Sequence, residues 1–529
     1  MKKPSSRTAA AMLEEISIRD PSREVLVDGQ RRWSYGSFSV AVRECARGLL
    51  ALDVRHGDRV GILAGNRAEW LITNFAIMSI GAISVGLNTW SSANELAYQL
   101  KNSGLKVLFL EEKFRDRNFL TLLNTARGIA ETLPALETII VYSERAPAAM
   151  HTWDNFMASA GDVSATSLDA AAAQVNPGDI ACMLYTSGST ALPKGVPLLH
   201  QGLIENMWEI GERQQLVADD RLWLAVSLFW SLACVNAVFA VLSHGGTIVL
   251  QRHFDAGAAL QIIEAEACTI FYGTPNMALA MAEHPDLSRR DLATLRTGVT
   301  IGTAQQIERV HALGVNQICN VYGLTEAYGN STVTDATLPL AKRLETVGQA
   351  LPGIEVSVVD ALTGEPQPAD VVGEILLRGN VTPGYWNDAE RTAEAFTKDG
   401  WFRTGDLGLL DENGFLYYRG RLKEMVKTGG INVAPAEVEQ ALSTHSAIEL
   451  AFVTGIPDER LDEALAAVIV FRKGHKTDEH TLREHCRETL APYKTPRHFR
   501  FVDAGALPLT TTGKLQRKRL ADFFANDNV

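Results

Sequence analysis

The chain has 529 residues, more than the roughly 250–300 residues at which a single hydrophobic core stops growing, so at least two domains are expected. Hydrophobic residues make up 46% of it and charged residues 21%, as in ordinary globular proteins, and the net charge of −12 argues against a nucleic-acid-binding protein. The longest nearly apolar runs, residues 75–87 and 228–242, are shorter than the ~20 residues of a membrane-spanning helix.

The sequence also lacks signals for export and for a cysteine framework. Lys2 and Lys3 are not followed by the apolar segment of a secretory signal. The six cysteines are scattered without a CxxC pair, which favours neither disulfides nor a zinc site. We therefore expect a soluble protein of a reducing compartment, the cytoplasm.

The first third of the chain alternates between strand and helix patterns. Residues 1–20 carry no motif and are expected to be partly loose. A hairpin is predicted around Asp28-Gly29, and Ser37 is predicted to cap a helix that runs to about residue 52. Alternation of this kind predicts a parallel sheet with crossover helices. The predicted strands are residues 24–27, 31–35, 60–64, 82–87 and 107–110, and a second helix is predicted at 68–80.

The middle of the chain repeats this pattern after residues 149–180, an Ala/Asp/Ser-rich approach that is expected to be loose. A buried strand is predicted at residues 180–184 because the run is apolar. Further strands are predicted at residues 222–230 (a strand or turn), 247–250, 269–272, 294–298 and 317–322. Helices are predicted at residues 200–215, 232–242, 258–267, 276–284 and 304–313.

From about residue 353 the strands are shorter and glycine is frequent, which predicts a small antiparallel unit. Beyond a break at residues 420–423, the pattern predicts a compact α+β block. The predicted fold class is therefore α/β: a large N-terminal domain, residues 1–421, of parallel-type sheets with flanking helices plus the antiparallel unit, and a small C-terminal domain, residues 422–529. Strands are predicted at 355–359, 373–378, 408–410, 415–418, 448–455 and 464–471, and helices at 435–444 and 481–489.

Residues 185–197, Tyr-Thr-Ser-Gly-Ser-Thr-Ala-Leu-Pro-Lys-Gly-Val-Pro, carry the clearest motif. Small residues let backbone N–H groups approach an anion, hydroxyl groups add donors, and lysine adds a point charge. The pattern predicts a phosphate-binding loop; an ordinary Ser/Gly turn is the alternative. It differs from the common P-loop because Pro193 precedes the lysine. The candidate phosphate ligands are Thr186, Ser187, Gly188, Ser189, Thr190 and Lys194.

Two further stretches offer groups that suit a nucleotide. At the end of an apolar run, Tyr322 offers a flat face to a purine, Thr325 a hydroxyl to a phosphate, and Glu326 a hard oxygen ligand to Mg²⁺. Asp406 can accept hydrogen bonds from both hydroxyls of a ribose, and Arg421 can reinforce that end. A surface loop and a solvated turn are the alternative interpretations of these stretches.

These stretches resemble, in order, the motifs of the adenylate-forming superfamily, which includes acyl- and aryl-CoA synthetases, firefly luciferase and nonribosomal adenylation domains. The loop at 185–195 matches its Tyr-Thr-Ser-Gly-Ser/Thr-Thr-Gly-x-Pro-Lys-Gly, except that Ala191 replaces the usual glycine. Residues 322–326 match Tyr-Gly-x-Thr-Glu, and residues 404–406 match Thr-Gly-Asp. Further matches lie at 420–435, at 508–514 and, as scaffold, at 373–379 and 384–387. The chain is most similar to a bacterial acyl- or aryl-CoA ligase.

The resemblance implies a two-step reaction that uses ATP, Mg²⁺ and coenzyme A. A carboxylate attacks the α-phosphate of ATP to give acyl-AMP and pyrophosphate, and the CoA thiol then takes the acyl group while a mobile C-terminal domain rotates. The implied catalytic residues are Lys514, Lys194, Thr325 and Glu326, with Glu326 holding the metal. ATP and AMP would also contact Gly302, Thr303, Tyr322, Gly323, Asp406 and Arg421. CoA and the domain hinge would involve Lys423, Lys427, Gly429 and Gly430.

The acid is expected to bind near Phe229, Trp230, Tyr272 and Gly298, beside Gly302. A histidine often occupies the position of Trp230 in the superfamily, so the bulky apolar wall of Phe229 and Trp230 is a departure. It favours a monocarboxylic acid that is aromatic, cyclic or medium-chain, although simple core filling is the alternative for Trp230.

Three other functions remain open at this point. An amide ligase with an amine acceptor would share every motif, and so would an enzyme that loads a carrier protein. A nucleotide-binding regulator without catalysis is disfavoured because Lys194, Glu326, Asp406 and Lys514 are all present. The sequence also leaves a homodimer open.

Overall fold

The structure is a computed structural model that describes residues 2–186, 193–428, 431–458, 460–509 and 515–525. These residues form two compact units. The first comprises the chain up to Glu355 together with Leu377–Phe402, and the second comprises Val356–Leu376 and the chain from Arg403 onward. The predicted domain border between residues 421 and 422 falls inside the second unit and stays a prediction.

The strands alternate with helices along most of the chain. In chain order the strands are β1 (Glu24–Asp28), β2 (Arg31–Ser34), β3 (Arg59–Leu63), β4 (Ile83–Gly86), β5 (Val107–Leu110), β6 (Lys113–Phe114), β7 (Arg117–Asn118), β8 (Thr138–Val141), β9 (His151–Thr152), β10 (Ile180–Thr186), β11 (Lys194–Leu199), β12 (Arg221–Leu224), β13 (Thr247–Leu250), β14 (Ile270–Tyr272), β15 (Thr297–Thr300), β16 (Gln317–Tyr322), β17 (Thr332–Val333), β18 (Gln349–Ala350), β19 (Ile354–Val359), β20 (Gly373–Gly379), β21 (Phe402–Leu410), β22 (Leu416–Arg421), β23 (Val426–Thr428), β24 (Ile431–Val433), β25 (Ile448–Asp458), β26 (Asp462–Phe471) and β27 (His498–Phe501). The helices are α1 (Ala9–Arg19), α2 (Tyr35–Ala51), α3 (Ala68–Ser79), α4 (Ala93–Ser103), α5 (Phe119–Ala130), α6 (Trp153–Ala158), α7 (Ala165–Ala172), α8 (His200–Arg213), α9 (Val238–Ser243), α10 (Ala256–Ala265), α11 (Pro275–Ala282), α12 (Ala304–Ala312), α13 (Leu340–Glu345), α14 (Ala389–Ala395), α15 (Pro435–Ser443) and α16 (Glu479–Thr489).

Two large sheets build the first unit. One has the strand order β18-β17-β16-β15-β14-β12-β13-β1-β2, and its neighbours from β16 to β1 run parallel. The other has the order β11-β10-β4-β3-β5-β8-β9, with only β11 antiparallel to its neighbour. The prediction of parallel-type sheets with crossover helices is therefore confirmed.

The inner strands of both sheets are largely apolar and buried, as is typical of parallel sheets. Strand β4 is buried along its whole length, and so are β5 and β13. Trp223 of β12, Phe271 of β14 and Ile318 of β16 pack into one core of the nine-stranded sheet. Burial on both faces explains why these strands read as continuous apolar runs in the sequence.

Two segments that were predicted to be loose are helical. Helix α1 buries Ala9, Met12, Leu13 and Ile16, whose spacing matches one face of a helix. Residues 149–180 contain α6 and α7, with Phe156 and Leu168 buried. Both predictions were wrong because these helices are short or sparsely apolar and gain their stability from packing.

Smaller differences concern where elements begin. Helix α2 is capped by Ser34 rather than Ser37, because the two serines form a reciprocal capping box in which Ser34 is the first residue. Strand β15 begins at Thr297 rather than 294, since Leu295 N–H closes a turn onto the Leu292 carbonyl at 3.0 Å. The predicted helix at 232–242 begins with a wider π-helical segment, Ser231–Ala237, before α9.

In the second part of the chain, strands β19 to β22 lie in sequence order in a four-stranded sheet, and β21 pairs antiparallel with β22. A second sheet has the order β24-β23-β26-β25, with β27 also on β26. Helices α15 and α16 cover it, and Val438, Leu465 and Leu482 share its core. The expected antiparallel unit and compact α+β block are both present. Within the described residues, no helix has the length and apolar character needed to cross a membrane.

Candidate active site

The parallel strands of the nine-stranded sheet and the turns at their carboxyl ends carry the predicted acid pocket and part of the predicted nucleotide site. Ligands of open α/β sheets bind at this edge, where the loops after the strands meet. Phe229 and Trp230 follow β12, Tyr272 ends β14, Gly302 follows β15 and Tyr322 ends β16. The fold therefore brings to one edge segments that are up to a hundred residues apart in the sequence.

The predicted phosphate loop connects β10 to β11, the edge strand of the other sheet. Thr186, the last residue of β10, is the antiparallel partner of Lys194, the first residue of β11. The loop thus leaves β10 at its carboxyl end, as the phosphate-binding prediction requires. Ser187, Gly188, Ser189, Thr190 and Ala191 lie outside the described residues.

Lys194 and Glu326, the two predicted catalytic charges of the first unit, both contact Tyr385. The Lys194 Nζ lies 4.2 Å from the centre of the Tyr385 ring. The Tyr385 hydroxyl donates a hydrogen bond of 2.9 Å to Glu326 Oε1. Burial, followed by the nearby Glu326 carboxylate, raises the pKa of Tyr385 above its usual value, so the phenol stays a donor at neutral pH.

The turn that presents Glu326 is tightly held. Thr325–Ala327 form one helical turn, and Tyr328 ends it in the left-handed conformation with φ of 57°. The Tyr328 hydroxyl accepts a hydrogen bond at 3.0 Å from the N–H of Leu199, the last residue of β11. We call the β10–β11 pair the phosphate hairpin. Thr325 Oγ1 lies 3.4 Å from Ser231 Oγ, so this turn also contacts the start of the π-helical segment.

Three aromatic rings meet beside this edge. Trp90, in the loop after β4, packs edge to face on Phe229 and on Trp230, with ring centres 5.0 and 5.2 Å away. Phe229 and Trp230 are also edge to face, at 5.8 Å. Phe229 is buried, whereas Trp90 and Trp230 are partly accessible. We call Trp90, Phe229 and Trp230 the aromatic trio.

Tyr272 and Gly298 lie deeper than the aromatic trio. Tyr272 is fully buried, and its hydroxyl accepts a hydrogen bond from Gln214 Nε2 at 2.8 Å. Gly298 has a φ of 149°, and a Cβ there would lie 1.9 Å from the Phe271 carbonyl oxygen, so only glycine fits. Their assignment to the acid pocket stays a prediction.

Gly302 and Thr303 form the start of α12. The Thr303 hydroxyl and the Gln306 side chain cap the helix reciprocally, with Thr303 N–H donating to Gln306 Oε1 at 2.9 Å. A Cβ on Gly302 would approach the same Gln306 oxygen to 2.7 Å. The Thr303 hydroxyl accepts a hydrogen bond from the Gln306 N–H in this cap and keeps its own O–H as a donor.

In the second unit, Asp406 and Arg421 are cross-strand partners on β21 and β22. Arg421 Nε lies 3.1 Å from Asp406 Oδ1, and Asp406 is only 4% exposed. Burial lowers the pKa of Arg421, but the Asp406 charge and smaller contributions outweigh it and leave the pKa raised. The Thr404 hydroxyl accepts from Asp406 N–H at 3.0 Å and fixes the strand end that carries the carboxylate.

The remaining predicted residues of this unit are basic or glycine. Lys423 lies in the short turn Leu422–Glu424 and Lys427 on β23, and both are exposed. Gly429, Gly430 and Lys514 lie outside the described residues.

Comparison with known proteins defines the class. The family model of the AMP-binding enzymes matches residues 13–386, and that of the AMP-binding enzyme C-terminal domain matches residues 437–514. The chain therefore belongs to the AMP-binding enzyme family.

Relatives share nearly the whole chain. It is 34% identical to the putative acyl-CoA synthetase YngI of Bacillus subtilis, over 97% of this chain and 96% of that protein. It is 32% identical to the mitochondrial medium-chain acyl-CoA ligase ACSF2 of Danio rerio, over 98% and 88%. The crystal structure of the anthranilate CoA ligase AuaEII with anthranoyl-AMP superposes with a TM-score of 0.85 at 29% identity, covering 97% of this chain and 96% of that one.

The chain is accordingly an AMP-forming acyl-CoA ligase that uses a carboxylic acid, ATP and CoA. The resemblance to the adenylate-forming superfamily, the α/β fold class and the ligase activity predicted from the motifs are confirmed.

Sequence reasoning missed two residues of the site. Trp90 was not singled out, because nothing near it in the sequence shows that it contacts Trp230. Tyr385 was placed in the scaffold stretch 384–387, although its match to the superfamily was visible and could have drawn attention to it.

Proposed function

We propose that this ligase activates a monocarboxylic acid whose body is aromatic, cyclic or medium-chain. The observation that carries the proposal is the aromatic trio, whose rings lie edge to face beside the carboxyl edge of the strands. Such rings favour contact with an apolar acyl chain or a second ring. The Danio rerio relative is called a medium-chain acyl-CoA ligase, and the solved relative an anthranilate CoA ligase.

Charge supports a single carboxylate. Residues 226–237, 270–275 and 298–303, which supply the predicted acid pocket, contain no charged side chain. A dicarboxylic acid would place its second negative charge among apolar groups, which is unfavourable without a partner.

For ATP, we assign the phosphates and the adenine to the phosphate hairpin and the turns after β15 and β16, and the ribose to the Asp406–Arg421 pair on β21 and β22. Lys194 and the hydroxyl and N–H groups of the loop would hold the phosphates, and Tyr322 would contact the adenine. Because the cationic Arg421 lies beside it, Asp406 is suited to remain an anion and to accept hydrogen bonds from ribose hydroxyls. The other residues proposed for ATP are Thr186, Ser187, Gly188, Ser189, Thr190, Gly302, Thr303 and Gly323.

Glu326 is proposed to hold Mg²⁺ together with the phosphates of ATP. Mg²⁺ keeps several waters and typically binds one or two carboxylates plus substrate phosphates. Glu326 suits this pattern, because the Tyr385 hydroxyl bonds to its Oε1 and not to its Oε2. The described residues hold no cluster of three or more His, Cys, Asp or Glu that could bind an ion without phosphates. Bound there, the ion would neutralise phosphate charge.

Catalysis would be a matter of positioning and charge. In the first step a carboxylate oxygen attacks the α-phosphorus, and the bond to the pyrophosphate oxygen breaks. Lys514 would stabilise the negative charge on the reacting carboxylate and α-phosphate, with Lys194 and Thr325 on the other phosphate oxygens. In the second step the CoA thiol attacks the acyl carbon, loses its proton and releases AMP.

The second step is proposed to follow a rotation of a C-terminal domain, residues 422–529, about Lys423. Lys427, Gly429 and Gly430 would line the path of the pantetheine chain. This assignment is carried over from the superfamily through the matching stretch 420–435.

A cytoplasmic location and a homodimer are also proposed. All six cysteines are free and buried, which suits a reducing compartment. Light scattering of the purified protein tests the dimer.

The acid class is tested by AMP release over a panel of acids, with CoA and, separately, with an amine. The proposal predicts CoA-dependent turnover with aromatic, cyclic or medium-chain monocarboxylates and little with dicarboxylates of the same length. Preference for a dicarboxylate would contradict it, and turnover with the amine alone would make the chain an amide ligase.

A further inference from the structure

Tyr385 contacts both Lys194 and Glu326. It is 9% exposed, its ring face lies 4.2 Å from Lys194 Nζ, and its hydroxyl donates to Glu326 Oε1 at 2.9 Å. One tyrosine therefore contacts a predicted phosphate-binding cation through its ring and a predicted metal-binding anion through its hydroxyl.

The backbone around Tyr385 is tied to the elements that carry these two charges. Thr382 N–H donates to the Glu326 carbonyl at 2.6 Å, and its hydroxyl donates to the Pro197 carbonyl of β11 at 2.8 Å. Trp386 N–H donates to the carbonyl of Gly195, the residue after Lys194, at 2.8 Å. Thr382 and Trp386, on either side of Tyr385, thus both bond to β11, and Thr382 also bonds to the Glu326 turn.

The two contacts of Tyr385 do different things. A phenol that donates to a carboxylate fixes the rotation of that carboxylate, and such charge-assisted bonds are strong. A ring face under an ammonium group holds the cation by its quadrupole while leaving the N–H groups directed away from the ring. A phenylalanine would keep the second contact and lose only the first, so the two can be separated experimentally.

We propose that Tyr385 is a positioning residue that orients Glu326 for Mg²⁺ through its hydroxyl and Lys194 for the nucleotide phosphates through its ring. The inference rests on the roles proposed above for Glu326 and Lys194. It extends them, because the stretch 384–387 was otherwise assigned only to scaffold.

The test compares Tyr385→Phe with Tyr142→Phe. Tyr142 is a matched control, since it is also buried, donates its hydroxyl to Thr73 Oγ1 at 2.9 Å and carries Arg67 over its ring at 4.7 Å. Calorimetry measures the affinity for α,β-methylene-ATP with and without Mg²⁺, which needs no turnover. Thermal unfolding of each variant shows that it is folded.

Loss of the Tyr385 hydroxyl should reduce the gain in affinity for α,β-methylene-ATP that Mg²⁺ provides. Tyr385→Phe should reduce the gain in analogue affinity that Mg²⁺ provides by about tenfold, as removal of an outer partner of a metal ligand typically does. Its affinity without Mg²⁺ should stay within about twofold of the original protein because the ring remains. Tyr385→Leu should in addition weaken metal-free binding, and Tyr142→Phe should change neither.

Glu326→Gln separates failure of this inference from failure of the proposed function. If Glu326→Gln loses the Mg²⁺-dependent gain while Tyr385→Phe keeps it, Tyr385 does not position Glu326 and the inference is overturned. If Glu326→Gln itself keeps the full gain, the proposed metal role of Glu326 is wrong. A folded Tyr385→Phe that matches Tyr142→Phe in both affinities also overturns the inference.

Discussion

Asp406 combines a charged partner with deep burial. It faces Arg421 across β21 and β22 and is 4% exposed, so its carboxylate is held in one place. A carboxylate held in this way is suited to bind the two hydroxyls of a ribose, which is its proposed role.

Asp406→Ala should weaken the apparent affinity for ATP by roughly 2–4 kcal/mol, because hydrogen bonds to a charged group contribute about 1.5–3 kcal/mol each. ATP affinity is measured by calorimetry for ATP and for 2′-deoxy-ATP. The variant should lose little further with the deoxy nucleotide, since the carboxylate that binds the missing hydroxyl is already gone. Unchanged ATP affinity in the variant would reject the assignment.

Trp230 is the member of the aromatic trio that we expect to line the acid pocket at a position where a histidine is frequent in the superfamily. Trp230→Ala should shift the ranking of acids toward bulkier ones, since removal of the indole enlarges the pocket, while the KM for ATP stays unchanged. Trp33→Ala is the control, because Trp33 is a partly buried tryptophan on β2 at the far edge of the nine-stranded sheet. An unaltered acid ranking together with lower stability would favour core filling.

At the scale of elements, the phosphate hairpin is attached to α1 through a buried histidine. His200 follows β11 directly, and its Nδ1 accepts from Ala9 N–H at 3.2 Å. Burial lowers the pKa of His200 to about 4, although Asp179 opposes the shift. The neutral imidazole therefore contributes to the junction between the N-terminal helix and the strand that begins at Lys194.

This junction should make stability depend on pH. The folded-state pKa of His200 is depressed, so its contribution is present above the unfolded pKa of about 6.5 and is lost as the pH falls toward 4. Between pH 7 and pH 5 the free energy of unfolding should fall by about 2 kcal/mol from this group. Urea unfolding at both pH values should show a smaller fall for His200→Gln. Equal falls in the two proteins would contradict the assignment.

Elements whose signal lies within a few residues could be predicted from the sequence. Strand β13 was predicted at its observed bounds and β16 likewise, because each is an apolar run between polar turns. Helix α1 was missed, since its buried face is short and its stability comes from packing against other elements. Helices α6 and α7 were missed in the same way, so local pattern alone underestimates short helices with few apolar residues.

Candidate site residues, like strands and helices, could be predicted where their signal lies within a few residues. Lys194, Glu326 and Asp406 could be assigned because each lies in a motif with its own chemistry. Trp90 could not, since its contact with Trp230 spans about 140 residues and depends on how β4 and β12 are placed in two different sheets. Tyr385 stands between these cases: its motif was seen, but only the fold shows that it contacts two charges.

For the whole molecule, we propose that the C-terminal domain is rotated differently in the two half-reactions. Lys423→Pro fixes the backbone φ at the proposed hinge, so it should slow thioester formation and spare adenylation. Pyrophosphate release without CoA and thioester formation from prepared acyl-AMP report the two steps. Lys423→Ala is the control, because it removes the side chain and leaves the backbone free. If thioester formation in Lys423→Pro equals that of Lys423→Ala, the rotation does not turn on this residue.

If an acyl-adenylate forms before CoA takes part, labelled pyrophosphate should exchange into ATP. We expect exchange that requires a suitable carboxylic acid, proceeds without CoA and is abolished in Lys514→Ala. The same variant should still transfer the acyl group from prepared acyl-AMP to CoA, since Lys514 is assigned to the first step alone. Exchange that needs CoA, or a Lys514→Ala variant that loses both steps equally, would rule out this order of steps or this role of Lys514.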